Sequence, residues 1–491
     1  MTRLNTKGRA EGVRAILGIV TLLGLTWRGW QRAGDAPPAS SGSAMALAHL
    51  EPPVADMRAC LEQVSISAPH PSAGRHTQQD RAIHAAHVSA LYWSMSRLAV
   101  DRCGCDTDIV FVAPRGGLAD RFRGMVQLFY YALLSNRGFA MDWEEPYRLT
   151  DFFEVAAFAR SGAGSIRPLL LPMEVTTAFF QDGHDIRTDL PANASVAIKS
   201  ANHRWIDIVR NPHLRPAAIR YGLIGMSRPQ LFRLAMDVLI PRPRPAVLSE
   251  ADAVLAGMGM PVHERARYVD AVQHGLPYGR ARPAQARTSH AIVVGVQIRT
   301  GAHGASWQSK DPPRHSLGTV ACFAAEVVRD CRVWGGCYVV LTSDSEQATA
   351  LFKAHIASLA GSATGADDGG PARAASGATT AAAAAAARPL NIRVGESSGE
   401  IMHVYRKEVD GRPPLADEWL KTMVDWYLLR QADALVLSRS GFGWMAAWAG
   451  GTVNVRQLAL DPASDACAWY HLPPVNCRED LYMGVGVKCG S

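Results

Sequence analysis

The chain has 491 residues, 48% of them hydrophobic and 19% charged, with a formal net charge of +7. That length leaves room for about two domains with attachments, and 12 Trp, 13 Phe and 12 Tyr can fill substantial cores. The positive charge is dispersed, with no Lys/Arg block interleaved with aromatics, which argues against nucleic-acid binding and leaves an anionic small ligand compatible.

At the N-terminus, Arg3, Lys7, Arg9 and Arg14 precede the apolar stretch 15–27, and Arg28 and Arg32 follow it. The pattern predicts an uncleaved signal-anchor, with a cleaved secretory signal and an organellar transit peptide as the other readings. The apolar run is shorter than the roughly 20 residues of an average spanning helix. The only nearby small-x-small site, Ala46-Leu47-Ala48, lies far beyond it. The basic flank predicts a short cytosolic tail (1–14), an anchor (15–30) and a lumenal remainder.

Residues 31–100 are expected to be a stem, because 33–80 are rich in Ala, Pro, Ser, Gln and His without a sustained period. The folded part divides into an N-terminal, acceptor-side domain (101–285) and a C-terminal domain (286–491). The latter carries an Ala-rich surface insertion, 361–388. Nine cysteines fit partial pairing in an oxidising compartment. Cys331 with Cys337, and two of Cys467, Cys477 and Cys489, are candidate local bridges. Cys103 and Cys105 have neither zinc nor redox-pair spacing. The sequon Asn193-Ala194-Ser195 would be a glycosylation site if exposed in the lumen.

The first strand with chemistry at its end is 109–114, followed by Arg115, Gly116 and Gly117 and then a helix. Leu118, Phe122, Met125, Val126, Phe129, Tyr130, Leu133 and Leu134 recur at helical spacing. Gly116 and Gly117 fall in the strand-to-helix turn, where missing side chains would let a ligand reach amides at the helix's positive end. Asp120 suits that end in any protein; Arg121 does not, which makes it a candidate for ligand or inter-domain contact. A second strand should end at Asp142, completing a βαβ unit. Trp205 and His203 are weaker candidates for a sugar site, core burial being the commoner fate of such aromatics.

Residues 291–301, AIVVGVQIRTG, read as a strand buried on both faces that ends at Arg299. Ligands of open α/β sheets bind beyond the carboxyl ends of strands, so Arg299 is the leading candidate for a phosphate clamp. A further buried strand runs from 338 to Thr342, Ser343 and Asp344. Asp344 is a candidate substrate contact, although Ser343 or Asp344 with Glu346 and Gln347 also resembles a helix cap. Leu420, Val424, Tyr427 and Leu428 mark a helix, and 434–438 a strand. The turn Arg439-Ser440-Gly441-Phe442-Gly443 then enters another helix, a loop whose amides suit a phosphate. Ser438 and Ser440 hydroxyls are extra donors. Asp106-Thr107-Asp108 spells a metal-binding D-x-D, but it precedes a strand rather than following one and is read as a loop or cap. No His-x-x-x-His or Cys-x-x-Cys pair supports zinc.

Three segments resemble the plant cell-wall α-fucosyltransferases, of which the xyloglucan enzymes are best known. Residues 116–143 are similar to that family's G-L-G-N-R…YALLTNR…D pattern, 295–299 to G-x-Q-I-R, and 425–451 to its L-L-S-x-x-D-x-L-V-x-S…S-T-F-G-Y-x-A-x-G-L-G-G. They come in the family's order. Arg-Thr-Gly after the motif strand also resembles α-1,6- and protein O-fucosyltransferases, so the GDP-fucose-dependent superfamily is the broader match. The family's Gly-Asn is Ala119-Asp120 here, and its Ser-Thr-Phe-Gly is Ser440-Gly441-Phe442-Gly443.

The resemblance implies an α/β, GT-B-like fold, two Rossmann-like domains with mainly parallel sheets facing across a cleft. It further implies an inverting transferase that moves fucose from GDP-fucose to a glycan or polysaccharide without a metal, anchored as a type II protein in the Golgi. Arg299 would be catalytic. Gly116, Gly117, Arg121, Asp344, Asp425, Ser438, Ser440, Gly441, Phe442 and Gly443 would contact substrate, with Asp425 or Glu418 receiving the guanine. No general base is assignable from the sequence, Asp120, Asp142 and Glu145 being the carboxylates nearby. The altered residues leave open a catalytically inactive glycan- or nucleotide-binding relative, or a different sugar donor.

Overall fold

A computed structural model describes residues 78–100, 108–113, 116–159, 169–171, 185, 190, 195–199, 205–265, 268, 292–301, 314–361, 390–399, 416–452, 454–458 and 467–472. The predicted anchor, the Ala-rich insertion, Asn193, His203, Cys103, Cys105, Cys477 and Cys489 lie outside them. Among the described residues no helix is long and apolar enough to cross a membrane. The chain divides between Ala90 and Leu91, inside the first helix, and both main sheets belong to the unit Leu91–Ser491.

In chain order the N-terminal half contains α1 (Gln78–Val100), β1 (Ile109–Val112), α2 (Leu118–Leu134), β2 (Phe139–Asp142), β3 (Phe153–Glu154), β4 (Leu169–Leu171) and β5 (Val196–Lys199). After these come α3 (Trp205–Arg210), α4 (Arg215–Arg220), α5 (Arg228–Leu239), β6 (Arg242–Pro243) and α6 (Pro245–Gly257). The region read as stem therefore ends in a helix, with Leu91 and Met95 fully buried. The β1–α2–β2 unit forms where the spacing predicts it. Helix α2 stops at Asn136, which adopts φ 58° while the Arg137 amide donates to the Ala132 carbonyl; asparagine tolerates this left-handed turn better than most residues. Strands β2, β1, β5 and β4 make an all-parallel sheet in that order, and β3 pairs antiparallel with β6.

The C-terminal half contains β7 (Ile292–Ile298), α7 (Val320–Trp334), β8 (Cys337–Ser343), α8 (Glu346–Gly361), β9 (Ile392–Gly395), α9 (Ala416–Gln431), β10 (Ala434–Leu437), α10 (Gly441–Gly450), β11 (Asn454–Leu458) and β12 (Trp469–Leu472). Its sheet has the order β12-β11-β10-β7-β8-β9, parallel except for β12. The chain builds outward from β7 through β8 to β9, then returns to the other side of β7 to lay down β10. The β7–β10 boundary is therefore a topological switch point. Val294, Val296, Ile298, Phe323, Val327, Val339, Leu341 and Phe352 form one buried cluster of this half. Fold class thus agrees with expectation: two mainly parallel α/β sheets, one in each half.

Helices from the two halves pack together, α2 and α5 against α10 and α6 against α9. The seam is aromatic. Phe122 meets Trp426 at 4.8 Å between ring centroids, Tyr147 meets Trp419 at 4.6 Å, and Trp205 meets Trp448 at 6.0 Å. Trp205 is fully buried and its indole donates to the Arg228 carbonyl, so it is a core residue.

Two disulfides hold α7. Cys331–Cys337 is the predicted local bridge, whereas Cys467 pairs with Cys322 rather than with another tail cysteine. The pairing is reasonable in hindsight: Cys467 lies two residues before β12, and Trp469 of that strand packs on Phe323 of α7. Spacing along the chain carried no trace of this long-range contact.

Gly295 lets α9 approach β7. A Cβ there would sit 2.6 Å from Leu435 Cδ2, 2.9 Å from Leu429 Cδ2 and 3.0 Å from Ala432 Cβ. Gly295→Val should therefore destabilise the fold by about 1–3 kcal/mol through overpacking. Denaturant unfolding followed by circular dichroism measures this, and an unchanged midpoint would refute the close approach.

Candidate functional site

The carboxyl ends of β7, β8 and β10 bring Arg299, Asp344 and Ser438 to one edge of the second sheet. Ser438 is fully buried at the switch point. Its amide donates to the Gln297 carbonyl (2.8 Å), its hydroxyl donates to Gln297 Oε1 (2.8 Å), and the same hydroxyl accepts the Arg299 amide (3.0 Å). The loop after β7 is thus fastened to the loop after β10 directly at Arg299, whose side chain is half-buried.

On the other side, Asp344 holds the next two residues. Its Oδ1 accepts the Thr300 amide (2.8 Å) and hydroxyl (3.0 Å), and its Oδ2 accepts the Gly301 amide (3.0 Å). Thr300 is fully buried, its carbonyl receives the Arg314 amide (3.0 Å), and Gly301 takes φ 75°. Both carboxylate oxygens are therefore engaged by the Arg299 loop. Asp344 thus braces the loop that carries Arg299. It is not the cap of α8, because the Ser345 hydroxyl accepts the Ala348 amide (3.2 Å).

The turn Ser440–Gly443 opens α10. Ser440 is the N-cap, and its hydroxyl accepts the Phe442 amide at 3.3 Å. Among the described residues no acceptor meets the amides of Gly441 or Gly443, which stand at the positive end of the helix dipole. A Cβ on Gly443 would lie 2.8 Å from Leu437 Cδ2 and 3.3 Å from Gln297 Oε1, so glycine allows the helix to start tight against β7 and β10. Arg299, Ser438, Ser440, Gly441, Phe442 and Gly443 consequently share one corner. Gln297, Thr300 and Gly301 complete it and were not singled out from sequence. Gln297 was detectable as the one amide in an otherwise apolar strand.

The remaining candidates are placed elsewhere. Asp425 is 1% exposed, with one oxygen accepting the Thr342 hydroxyl (2.9 Å), the other the Ser397 hydroxyl, and Lys421 Nζ at 3.7 Å. Burial pushes its pKa up, while Lys421 and the Ser397 and Thr342 hydroxyls pull it down. Its oxygens tie α9 to the ends of β8 and β9. A carboxylate that α9 must keep inward is indistinguishable, in sequence, from one facing a ligand.

The Gly116-Gly117 turn departs from expectation. Asp120 Oδ2 accepts the Gly117 amide (3.2 Å), and Asp120 also pairs with Arg123, so the chain's own carboxylate occupies the place foreseen for an anion. Arg121 is 3% exposed. Its Nε donates to the Gly116 carbonyl (3.1 Å), Nη1 donates to the Glu145 carbonyl, and its guanidinium lies over Trp143 (5.4 Å) and Tyr147 (5.8 Å). Burial lowers its pKa, opposed by Tyr147, Glu145 and Asp120. It therefore braces the β1 turn against the Glu145 loop, beside the inter-half seam. Asp108 sits at the amino end of β1, where its amide donates to Ser195 Oγ (3.0 Å), away from the carboxyl edge. Among the described residues no group of three His, Cys, Asp or Glu could hold a metal ion.

No family model and no curated protein sequence matches the chain. Solved structures with a similar arrangement include a point mutant of Arabidopsis thaliana FUT1 in complex with GDP, at 14% identity, TM-score 0.42, 81% of this chain and 83% of that one. Others are the α-1,6-fucosyltransferase NodZ soaked with GDP-fucose (13%, 0.38, 75% and 100%) and fucosyltransferase NodZ from Bradyrhizobium (13%, 0.36, 75% and 99%). At these identities and TM-scores they assign no residue a role.

Two measurements probe this corner. In Asp344→Ala the Thr300 and Gly301 amides lose their acceptor, so their hydrogen exchange should quicken relative to the β7 amides; equal protection would refute the brace. His315, next to Arg314, is 3% exposed with Nε2 unpartnered among the described residues, and burial and Arg314 push its pKa from 6.5 down to about 4. The unfolded chain therefore takes up a proton at a pH where the folded one does not. The stability this gives is full above 6.5 and is lost as pH falls towards about 4. His315→Phe should flatten the unfolding free energy across that interval.

Proposed function

We propose that the chain is an inverting glycosyltransferase that moves fucose from GDP-fucose to a glycan or cell-wall polysaccharide acceptor without a metal ion. The observation that carries the reading is the Ser438 bridge. It holds the Arg299 backbone at the switch point, beside the open amides of α10. Departure of GDP from the anomeric carbon puts negative charge on the β-phosphate. A guanidinium can take two phosphate oxygens at once, and fixed amide dipoles need no reorganisation as the charge develops. The three motif segments, in the family's order, support GDP and fucose as the donor's parts.

The acceptor belongs with the first sheet, whose carboxyl edge is acidic. Asp142 ends β2, is followed by Glu144 and Glu145, and has its pKa raised by burial and then by those two carboxylates, with Lys199 opposing. Such an edge repels a diphosphate and tolerates neutral hydroxyls. The disulfides Cys322–Cys467 and Cys331–Cys337 agree with folding in an oxidising lumen. With the basic-flanked apolar segment 15–27, they favour a Golgi type II membrane protein. The capped Gly117 amide favours a second reading, a binding relative without turnover.

Purified protein should release GDP from GDP-fucose in the presence of a glycan, unaffected by chelator. Arg299→Ala should lower turnover by about two to three orders of magnitude while leaving the circular dichroism spectrum intact. Calorimetry showing no GDP binding to the wild type would overturn the nucleotide assignment; binding without turnover on any nucleotide sugar would establish the second reading.

A further inference from the structure

The end of α1 and the segment around α4 expose apolar and basic side chains together. Trp93 is 48% exposed, Ile219 51% and Ile224 38%. Isolated apolar residues on a surface need no explanation, but these lie on segments joined by a hydrogen bond. The Ser94 and Tyr221 side chains hydrogen-bond, which seats the end of α4 beside α1 and brings Trp93 into the vicinity of Ile219 and Ile224. The Gly222 amide donates to the Ile219 carbonyl, so Ile219 and Ile224 flank one turn.

Positive charge predominates around them, with Asp207 and Asp237 bounding the stretch 208–236 and Asp185 3.8 Å from His213 within it. From Ile208 to Met236 the sequence holds five arginines and no Asp or Glu. Arg210, Arg215 and Arg220 are exposed, and Arg97 is exposed one helical turn beyond Trp93. Indole rings settle at the water–hydrocarbon boundary, aliphatic side chains gain by leaving water, and guanidinium groups bind phosphate oxygens in pairs. A hydrophilic polymer would use the arginines but give nothing to two exposed isoleucines. A surface that is phosphate-rich outside and apolar beneath answers all three residue types.

We propose that this face rests on a phospholipid bilayer, with Trp93, Ile219 and Ile224 in the interfacial layer and Arg215 and Arg220 on headgroup phosphates. Contact of this kind is shallow and reversible. It would fix the orientation of the Leu91–Ser491 unit at the membrane, independently of which donor or acceptor the enzyme uses.

The test uses the full chain in phosphatidylcholine vesicles with and without brominated acyl chains. The fluorescence difference between wild type and Trp93→Phe isolates Trp93, since signals from the other tryptophans cancel. Bromolipid should quench that difference signal relative to unbrominated lipid, as expected for an interfacial indole. The Ile219→Ser/Ile224→Ser pair should reduce the quenching, and so should Arg215→Gln/Arg220→Gln, a surface change that leaves the fold intact by circular dichroism. A difference signal untouched by bromolipid overturns the proposal. So does a Trp93 that stays as accessible to acrylamide in vesicles as in detergent yet becomes shielded by polygalacturonate, which would identify an acidic polysaccharide instead.

Discussion

The Ser438 hydroxyl is where the C-terminal half becomes a site rather than only a sheet. Strands β7 and β10 are far apart in sequence, and their pairing stops at Gln297 and Leu437. One step further, the loops would be free to diverge. Ser438 prevents this by giving its hydroxyl hydrogen to Gln297 Oε1 and receiving the Arg299 amide. With full burial there is no water to take over either bond, so breaking them costs the desolvation of both partners, about 1–3 kcal/mol each. The direction in which Arg299 leaves the sheet is therefore fixed by backbone, not by its own long side chain.

That economy explains why neighbouring polar groups are spent inward. Asp344 gives both oxygens to Thr300 and Gly301, and Asp425 gives both to Thr342 and Ser397. Asp344, at the end of the strand next to Arg299's own, removes a degree of freedom from the corner, and Asp425 fixes α9 against the ends of β8 and β9. A loop already held by such bonds loses less entropy on engaging any ligand than a mobile one. The aromatic seam acts at longer range. Trp419 and Trp426 on α9 touch Tyr147, Phe122 and Phe153 of the other half, and α9 leads straight into β10 and Ser438.

Much of this was legible from residue patterns. Strands 109–112, 139–142, 292–298, 337–343 and 434–437 stand where apolar runs predicted them, because strands buried on both faces leave no alternation to misread. The gathering of Arg299, Ser438 and Ser440–Gly443 was also predictable, since every parallel strand delivers its carboxyl end to the same edge. What pattern could not supply was the direction of individual carboxylates. Asp120, Asp344 and Asp425 are all acidic residues near loops or on helices, and whether each faces a ligand or a backbone amide depends on contacts between segments distant in sequence. The Cys322–Cys467 bridge was hidden for the same reason, at a separation of 145 residues.

The two sheet edges also differ electrostatically, a difference that begins with Ala119-Asp120. At the second edge α10 starts with glycines whose amides have no carboxylate nearby in the chain, so the dipole there remains available to an anion. At the first edge α2 starts with a comparable pair of glycines, but Asp120 folds back onto Gly117 and cancels the same positive end. Had that position been asparagine, as in the family it resembles, the turn would keep its amide capped without adding a charge. With aspartate, and with Asp142, Glu144 and Glu145 beyond β2, the first edge gathers carboxylates that Arg123 and Lys199 offset only in part. The asymmetry between the two helix starts follows from one side chain, Asp120, which has no counterpart in the first turn of α10.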